Sequence, residues 1–416
     1  MRFPLRNVIF MDIVQAKKSV IDAGRKLVQN GLIQRTWGNV SCRIDGERFA
    51  ITPSGRDYMS LTEDDIVIVN IADLSYEGDI KPSSEKGIHA KCYELREDVN
   101  FVIHTHQTYA SLAGLSGLDI NCLDDGDAEV IGSDIPVASY GLPGTKKLRD
   151  GVVNALLRSS SKAVLMLHHG ALCLGTDETD AFAVAEKLEE VCKTRLLERC
   201  RQFTGNIAES FDSLTSYIAN NLLTEAVEDD LGVYNSVRDF GVAELTDTKT
   251  GKVTPVDIET GAPLDPDDEC PDTAMLHAAV YKARKDVNAV IHSKEDATLK
   301  VSRMGITVKP FLDDFAQIVG ISLRTAEYDP DNAKKTSAKV VRKLGCRDAV
   351  LIKHNGGLCV GADEDEAKAV ELVTEKGCKA FTAASFYGTK PINAVESLLM
   401  RVVYKTKYSK KNQNNR

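Results

Sequence analysis

No apolar run in the 416-residue chain approaches the roughly 18 residues that a membrane span requires. Nor is there a surplus of positive charge. The net charge is -9 and the pI is near 5.5, so no protein-wide basic field exists to attract a phosphate backbone. The ten cysteines form no CxxC pair, and most lie in helical or apolar contexts such as "EEVCK" and "ALCLG". Reduced thiols in the cytosol fit this pattern best. The opening "MRFPLRNVIFMDIVQAKKS" holds two arginines, but its apolar stretch is short and broken by Asn7, Asp12 and Gln15, so it does not read as a signal peptide. The tail "YKTKYSKKNQNNR" is basic and reads as a solvated end. These absences predict a soluble globular protein of the cytoplasm, with neither nucleic acid nor membrane as a partner.

What is present is a duplication. "AVLMLHHGALCLGTDETDAFAVAEKLEEVCK" from Ala163 reads without a gap against "AVLIKHNGGLCVGADEDEAKAVELVTEKGCK" from Ala349, a spacing of 186 residues. "IHAKCYELREDVNFVIHTH" from Ile88 matches "LHAAVYKARKDVNAVIHSK" from Leu276, a spacing of 188. Two copies of one domain are expected, over 1–207 and 208–416. Short apolar strands alternate with longer amphipathic segments in each, which predicts layered α/β domains. Residues 12–30 place Ile13, Val14, Ala16, Val20, Ile21, Ala23, Leu27 and Val28 at helical intervals, with Gly31 as the stop. "FAITPSG" and "DIVIVNI" read as strands across a turn, and "FVIHTHQ" and "AVLMLHHG" as strands buried on both faces.

The stretch "KPSSEKGIHAKCYELRE" offers Pro82, Ser83 and Ser84 as a helix start, with Glu85 on the first turn. Backbone N–H groups at a helix start, joined by serine hydroxyls, make a phosphate cradle. Taken alone, the plainer reading prevails: a capped helix whose dipole favours a carboxylate. In "VIHTH", His104 and His106 stand two apart at a strand end, so they share a face and can reach one ion. His169, in "LMLHHGAL", is a third candidate. A catalytic zinc takes three protein ligands and leaves a place for water or substrate. A lone histidine in such a strand is more often a hydrogen-bonded core residue.

The repeat discriminates between these readings. All eight histidines fall in repeated segments: His89 is matched by His277, His104 by His292 and His168 by His354. His106, His169 and Glu85, however, are matched by Lys294, Asn355 and Thr273. Three of four candidate ligands are absent together from the trailing copy, as expected of groups that act as a unit, and an ammonium at 294 would repel a divalent cation. Ser83 and Ser84 correspond to Pro271 and Asp272, and a carboxylate there disfavours an anion. "TWGNVS" (36–41) and "ITPSG" (51–55) add tight turns rich in donors, with no recognisable counterpart between 215 and 265. Chemistry is expected in the leading copy alone.

"GLIQRTWGNVSCR", "ITPSG", "KPSSE", "VIHTH" and "HHG", in that order, resemble the class II aldolase and adducin family. The resemblance covers the leading half through its motifs and the trailing half through its frame. It implies two tandem three-layer α/β/α domains around mixed sheets, and a zinc-dependent enzyme acting on phosphorylated sugars. By the family's pattern Glu85, His104, His106 and His169 would hold Zn2+, and Gly38, Asn39, Ser54, Gly55, Ser83 and Ser84 the phosphate. The implied reaction is reversible aldol cleavage of a ketose phosphate to dihydroxyacetone phosphate and an aldehyde. In it a Lewis-acid metal stabilises the enediolate and Glu85 moves a proton at C3. Family aldolases carry a tyrosine as proton donor to the leaving group, whereas this chain has the acidic "NCLDDGDAEVIGSDIPVASY", in which Glu129 falls where the epimerases have an aspartate acid. Asp124 and Asp125, matched by Asp313 and Asp314, read as structural. The alternatives are a sugar-phosphate 4-epimerase or dehydratase, for which "PSSE" departs from the epimerases' "PSSD", and a non-catalytic adducin-like scaffold. The family's fourfold rings imply a homo-oligomer here, a dimer of tandem chains closing a comparable ring.

Overall fold

The computed structural model describes residues 11–33, 37–121, 123–206, 209–222 and 231–408. The chain start up to residue 10, Thr36 of "TWGNVS", residues 207–208 at the expected joint and the tail beyond 408 lie outside the described residues. The chain divides into two compact units, one reaching Glu198 and the other beginning at Arg199, with Tyr387–Thr389 and the residues from Lys405 onward grouped with the first.

The leading copy runs α1 (Ile13–Gln29), β1 (Asn39–Arg43), β2 (Arg48–Ile51), β3 (Val67–Asn70), α2 (Lys86–Leu95), β4 (Phe101–Thr105), α3 (Thr108–Gly114), β5 (Ile120–Asn121), α4 (Asp125–Ile131), β6 (Asp134–Ile135), β7 (Val137–Ala138), α5 (Lys146–Arg158), β8 (Ala163–Met166), β9 (Ala171–Gly175) and α6 (Glu178–Thr204). Seven strands form a mixed sheet in the order β3-β2-β1-β4-β9-β8-β7, antiparallel except for the β7–β8 pair. Alternation along β4 shows why it is apolar throughout. Phe101 and Ile103 pack with Ala16 and Val20 of α1 and with Phe182 and Leu188 of α6, while Val102 faces Ile88 and Tyr93 of α2 and Val152 of α5. The result is three layers with the sheet in the middle. Of the apolar positions expected to face inward on α1, Val14 is instead 54% exposed.

After α7 (Phe211–Leu222), the trailing copy repeats the frame with β10 (Tyr234–Asp239), β11 (Val242–Asp247), β12 (Val253–Asp257), α8 (Ala274–Ala283), β13 (Ala289–Ser293), α9 (Asp296–Arg303), α10 (Asp313–Ile318), β14 (Thr325–Ala326), α11 (Ala333–Leu344), β15 (Ala349–Ile352), β16 (Gly357–Gly361), α12 (Glu364–Tyr387) and α13 (Ala394–Val403). Its sheet order, β12-β11-β10-β13-β16-β15-β14, copies the first strand for strand, with β14–β15 the parallel pair. Here the structure goes beyond the sequence pattern. β10 and β11 stand where "TWGNVS" and "ITPSG" begin and end the first hairpin, and of β1 only Ser41 and Arg43 recur, as Ser236 and Arg238.

The acidic pair at 313–314 is structural. Asp313 is fully buried, and Asp314 receives a hydrogen bond from Lys376 of α12 at 2.9 Å, both side chains being 4% exposed. Removing one partner of such a pair strands a buried charge, at a cost of about 3–5 kcal/mol. Lys376→Met is therefore expected to lower the urea midpoint sharply, and the double variant Lys376→Met/Asp314→Leu to recover most of the loss. Equal midpoints for the single variant and the parent would contradict this.

Candidate metal and anion site

Strand β4 ends at Thr105, and its register sets His104 opposite Asn39 of β1 on one side and Leu172 of β9 on the other. His106 follows one residue beyond the strand. His169 comes from the tight turn between β8 and β9, where a Cβ at Gly170 would lie 2.1 Å from the Thr105 carbonyl oxygen. Only glycine lets that turn press against the end of β4. In the same turn His168 takes a left-handed φ of 63° and meets the edge of Tyr140 at 5.2 Å, leaving His169 on the cluster side.

Three imidazoles thereby converge, with one nitrogen from each of His104, His106 and His169 lying within 4.8 Å of the others. The rings of His104 and His169 stack at 4.8 Å. Glu85 closes the group, its Oε1 lying 3.0 Å from His169 Nε2 and its Oε2 3.2 Å from His104 Nε2. His104 Nδ1 lies 2.9 Å from the Ala171 carbonyl oxygen, which can only accept, so the proton resides on Nδ1 and Nε2 turns a lone pair inward. That Nε2 is 3.0 Å from the Nε2 of His106. A zinc ion with bonds of about 2.0–2.1 Å spaces neighbouring ligands by about 3.3 Å. The donor spacing, and lone pairs facing a carboxylate, fit a divalent ion; the three histidines could hold one, with Glu85 as the fourth ligand.

Electrostatics agree. Burial, with His106 and His169 as neighbours, pushes His104 well below the usual imidazole range, so it is neutral. Burial by itself favours the protonated acid at Glu85, but the imidazoles of His104 and His169 and the Asn39 amide outweigh it and hold the carboxyl well below its ordinary range. A neutral His104 beside an ionised Glu85 is the protonation state a cation requires.

Behind Glu85 runs a hydrogen-bond chain through His89 that no local sequence pattern ties to the site. The carboxylate only accepts, so Asn39 Nδ2 donates to its Oε2 at 3.0 Å. Asn39 Oδ1 then accepts from His89 Nε2. His89 Nδ1 consequently accepts from the Ser41 hydroxyl at 2.6 Å, and Ser41 accepts from Tyr93 at 2.6 Å. Every proton has one direction, and the chain ends on Glu85. Persistence of the same Ser, His and Tyr in the trailing copy was the available clue.

The expected phosphate residues divide. Ser54 N donates to the Lys81 carbonyl and Ser83 N to that of Thr52, so the "ITPSG" and "KPSS" loops are zipped together, with Pro53 bridged to Pro82. Gly55 has φ 71° in the first loop. Gly38, at φ 134°, leaves no room for a Cβ beside the His104 carbonyl oxygen, and its own carbonyl accepts from Tyr58 at 2.7 Å. Asn39 is buried and occupied at both ends of its amide. Glu85 is the residue before α2 rather than a member of its first turn, and Ser83 Oγ accepts from Glu85 N at 3.2 Å without capping the helix. Ser84, in contrast, is exposed and lines a 160 Å³ cavity at the start of α2 with Lys86, Thr145 and Arg149. Glu129 lies exposed on α4, with no hydrogen bond or ion pair among the described residues.

In the trailing copy the corresponding side chains hold backbone instead. Lys294 Nζ donates to the Leu231 carbonyl at 2.9 Å, and Asn355 Oδ1 accepts from Leu231 N at 3.2 Å. The substitutes for His106 and His169 thus grip the backbone of one residue. Ser236, His277 and Tyr281 repeat the chain behind Glu85, with Ser236 Oγ 2.7 Å from His277 Nδ1. Register sets Tyr234 where Asn39 stands, so the chain stops, and His277 Nε2, Thr273 Oγ1 and His292 Nδ1 are buried without a hydrogen-bond partner among the described residues.

The chain thus holds two mixed-sheet α/β domains, the leading one with a histidine cluster at the end of its central strand. The chain belongs to the family described as "Class II Aldolase and Adducin N-terminal domain", whose model matches residues 18–196 and 236–382. It is 33% identical over 181 residues to a 5-deoxy-D-ribulose 1-phosphate aldolase of Bacillus thuringiensis serovar kurstaki, covering 43% of this chain and 83% of that protein. Solved structures similar to it include an L-fuculose 1-phosphate aldolase, at 34% identity and TM-score 0.42 over 44% of this chain and 86% of the other. Another is the L-fuculose-1-phosphate aldolase of Thermus thermophilus, at 27% identity and TM-score 0.38 over 45% and 95%.

Burial sets a pH limit on the trailing copy. It pushes His277 down to about 3 and His292 to about 4. In the unfolded chain both take a proton near pH 6.5. Above that value neither state is protonated and nothing is lost; as pH falls below it, only the unfolded chain binds protons. Each group then lowers stability by about 1.4 kcal/mol per pH unit until the folded form titrates. Melting temperature is expected to fall between pH 7 and 5, with a shallower slope in His277→Gln. An unchanged slope would contradict this assignment.

Proposed function

We propose that the protein is a zinc-dependent class II aldolase, cleaving a ketose phosphate reversibly into dihydroxyacetone phosphate and an aldehyde. The observation that carries the reading is the meeting of Glu85, His104, His106 and His169 within one cluster beside the zipped serine loops. The 5-deoxy-D-ribulose 1-phosphate aldolase among its relatives supports the same chemistry.

A bound Zn2+ would supply Lewis-acid stabilisation of the charge that develops when the carbon–carbon bond breaks. The chain's own groups do the rest. Glu85, held ionised and aimed by Asn39, moves the proton at C3 of the substrate. Ser84, with the amide groups at the start of α2, Ser54 and Gly55, anchors the phosphate and so fixes the reacting end against the carboxylate. Ser83 and Gly38 shape the loops that present these groups, and Asn39 couples anchor to base. Glu129, being exposed on α4, suits an acid only if a sugar's far end reaches it; this leaves the epimerase and dehydratase readings secondary. The adducin-like scaffold reading leaves the donation of Asn39 to a buried Glu85 without a purpose.

Residues 1–207 would be the working copy and 208–416 a copy without ligands, with two chains assembling as a homo-oligomer. Among the described cysteines none is paired and seven of nine are buried, which suits the cytoplasm.

Purified protein is expected to carry one zinc per chain by elemental analysis. His106→Ala should lose it and Lys294→Ala should keep it. Glu85→Gln is expected to cut dihydroxyacetone phosphate release from ketose 1-phosphates by about 10²–10⁴-fold, and Ser84→Asp to raise KM at least tenfold. Protein without metal, together with indifference to Glu85→Gln, would overturn the proposal.

A further inference from the structure

The cavity at the start of α2 holds a cation with no counter-charge among the described residues. Arg149 of α5 lines it together with Ser84, Lys86 and Thr145. The guanidinium lies close against α2: a Cβ at Gly87 would stand 2.9 Å from its Nη1 and 3.3 Å from its Cδ, so glycine at 87 is what admits it. Arg149 is partly buried, yet it makes no hydrogen bond or ion pair among the described residues. The neighbouring carboxylates are engaged elsewhere. Asp150 accepts from Lys146 at 2.6 Å, and Glu85, which also borders the cavity, sets its oxygens against His169 and His104. Lys86 brings a second positive charge, 5.4 Å from the centre of the Tyr76 ring. A cation drawn out of water without a counter-charge is costly, and the planar fork of a guanidinium matches the oxygens of a phosphate.

The duplication again serves as a control. Leu148, Val152 and Leu156 of α5 answer Thr336, Val340 and Leu344 of α11 at a spacing of 188 residues, all of them buried, so Arg149 answers Ser337. At the same spacing Ser84, Lys86 and Gly87 answer Asp272, Ala274 and Met275. The trailing copy therefore lacks both cations, carries a carboxylate at the place of Ser84, and has a long side chain where the guanidinium requires glycine. Arg149 and Gly87 are absent together, as Glu85, His106 and His169 are. Lys146 and Lys147, exposed on the same helix, recur as the exposed Lys334 and Lys335. A general demand for positive charge on this helix is thus not what separates the copies.

We propose that Arg149 is a specificity-determining residue whose guanidinium pairs with the phosphate of the substrate and favours a phosphorylated ketose over the free sugar. This rests on the aldolase reading above. The groups already assigned to the phosphate, Ser84, Ser54 and Gly55, carry no formal charge, and Arg149 supplies it. Ser84 and Glu85 are successive residues that both border the cavity, so an anion held there belongs to the molecule on which Glu85 acts. Gly144, at φ 73°, sets the turn before α5 against Ser84, where a Cβ would stand 3.5 Å from that of the serine. The helix that carries Arg149 is thereby fixed to the loop that carries the anchor.

Kinetics and ligand binding test this separately. With ketose 1-phosphates, Arg149→Met is expected to raise KM about thirtyfold or more while kcat falls less than about threefold, and Arg149→Lys, which keeps the charge but not the fork, to fall between it and the parent. Without any turnover, inorganic phosphate should raise the melting temperature of the parent above its value in chloride of equal ionic strength. Arg149→Met, with an unchanged circular dichroism spectrum and zinc content, should lose that rise. Cleavage by Arg149→Met at the parent's KM, or equal stabilisation of both proteins by phosphate, would overturn the proposal and leave the aldolase reading intact. Phosphate stabilisation that depends on Arg149 in a parent that cleaves no ketose phosphate would strike the aldolase reading instead and keep Arg149 as the group that pairs with phosphate.

Discussion

A carboxyl group sealed from water stays ionised only where donors or a cation meet it. Glu85 is 6% exposed, and the rest of the leading copy's design follows from that constraint. Its two oxygens lie against His169 and His104, and its donor Asn39 is held by His89, Ser41 and Tyr93 in turn. Each member is anchored by the sheet or by α2, so the carboxylate has one orientation. The Gly170 turn and the register of β4 bring the imidazoles to it. Without the close approach that glycine permits, His169 would stand off from the strand end and the cluster would open.

The trailing copy shows the same frame once that constraint is lifted. Thr273 replaces the carboxylate, and with it goes the need for a donor: Tyr234 stands at the place of Asn39. The outer part of the chain, Ser236 with His277 and Tyr281, persists because it packs α8 against β10, a structural task independent of metal. Lys294 and Asn355 have been turned to holding Leu231. The residues at the places of His106 and His169 therefore have a backbone partner of their own.

The strands that end at the site were legible from the sequence because a buried central strand leaves an uninterrupted apolar run, as in Phe101–Thr105 and Ala163–Met166. The candidate ligands were legible because the duplication served as an internal control: His106, His169 and Glu85 differ between copies while His89 and His104 do not. The second hairpin was not, since β10 and β11 are half-exposed and β10 keeps only Ser236 and Arg238 at the places of Ser41 and Arg43. Nor was the role of Asn39. Its position beside a glycine turn read as part of a phosphate loop, and only the pairing of β1 with β4, which sets it opposite His104, reveals that its amide serves Glu85. Contacts across 46 residues, as between Asn39 and Glu85, depend on sheet register and leave no trace in local pattern.

The proposed division of labour between the copies is tested most directly by locating the metal itself. Anomalous diffraction at the zinc edge should give one peak per chain, surrounded by Glu85, His104, His106 and His169, with none near Thr273, His277 and His292. A peak in the trailing copy, or a leading-copy peak that those four side chains do not surround, would contradict the account.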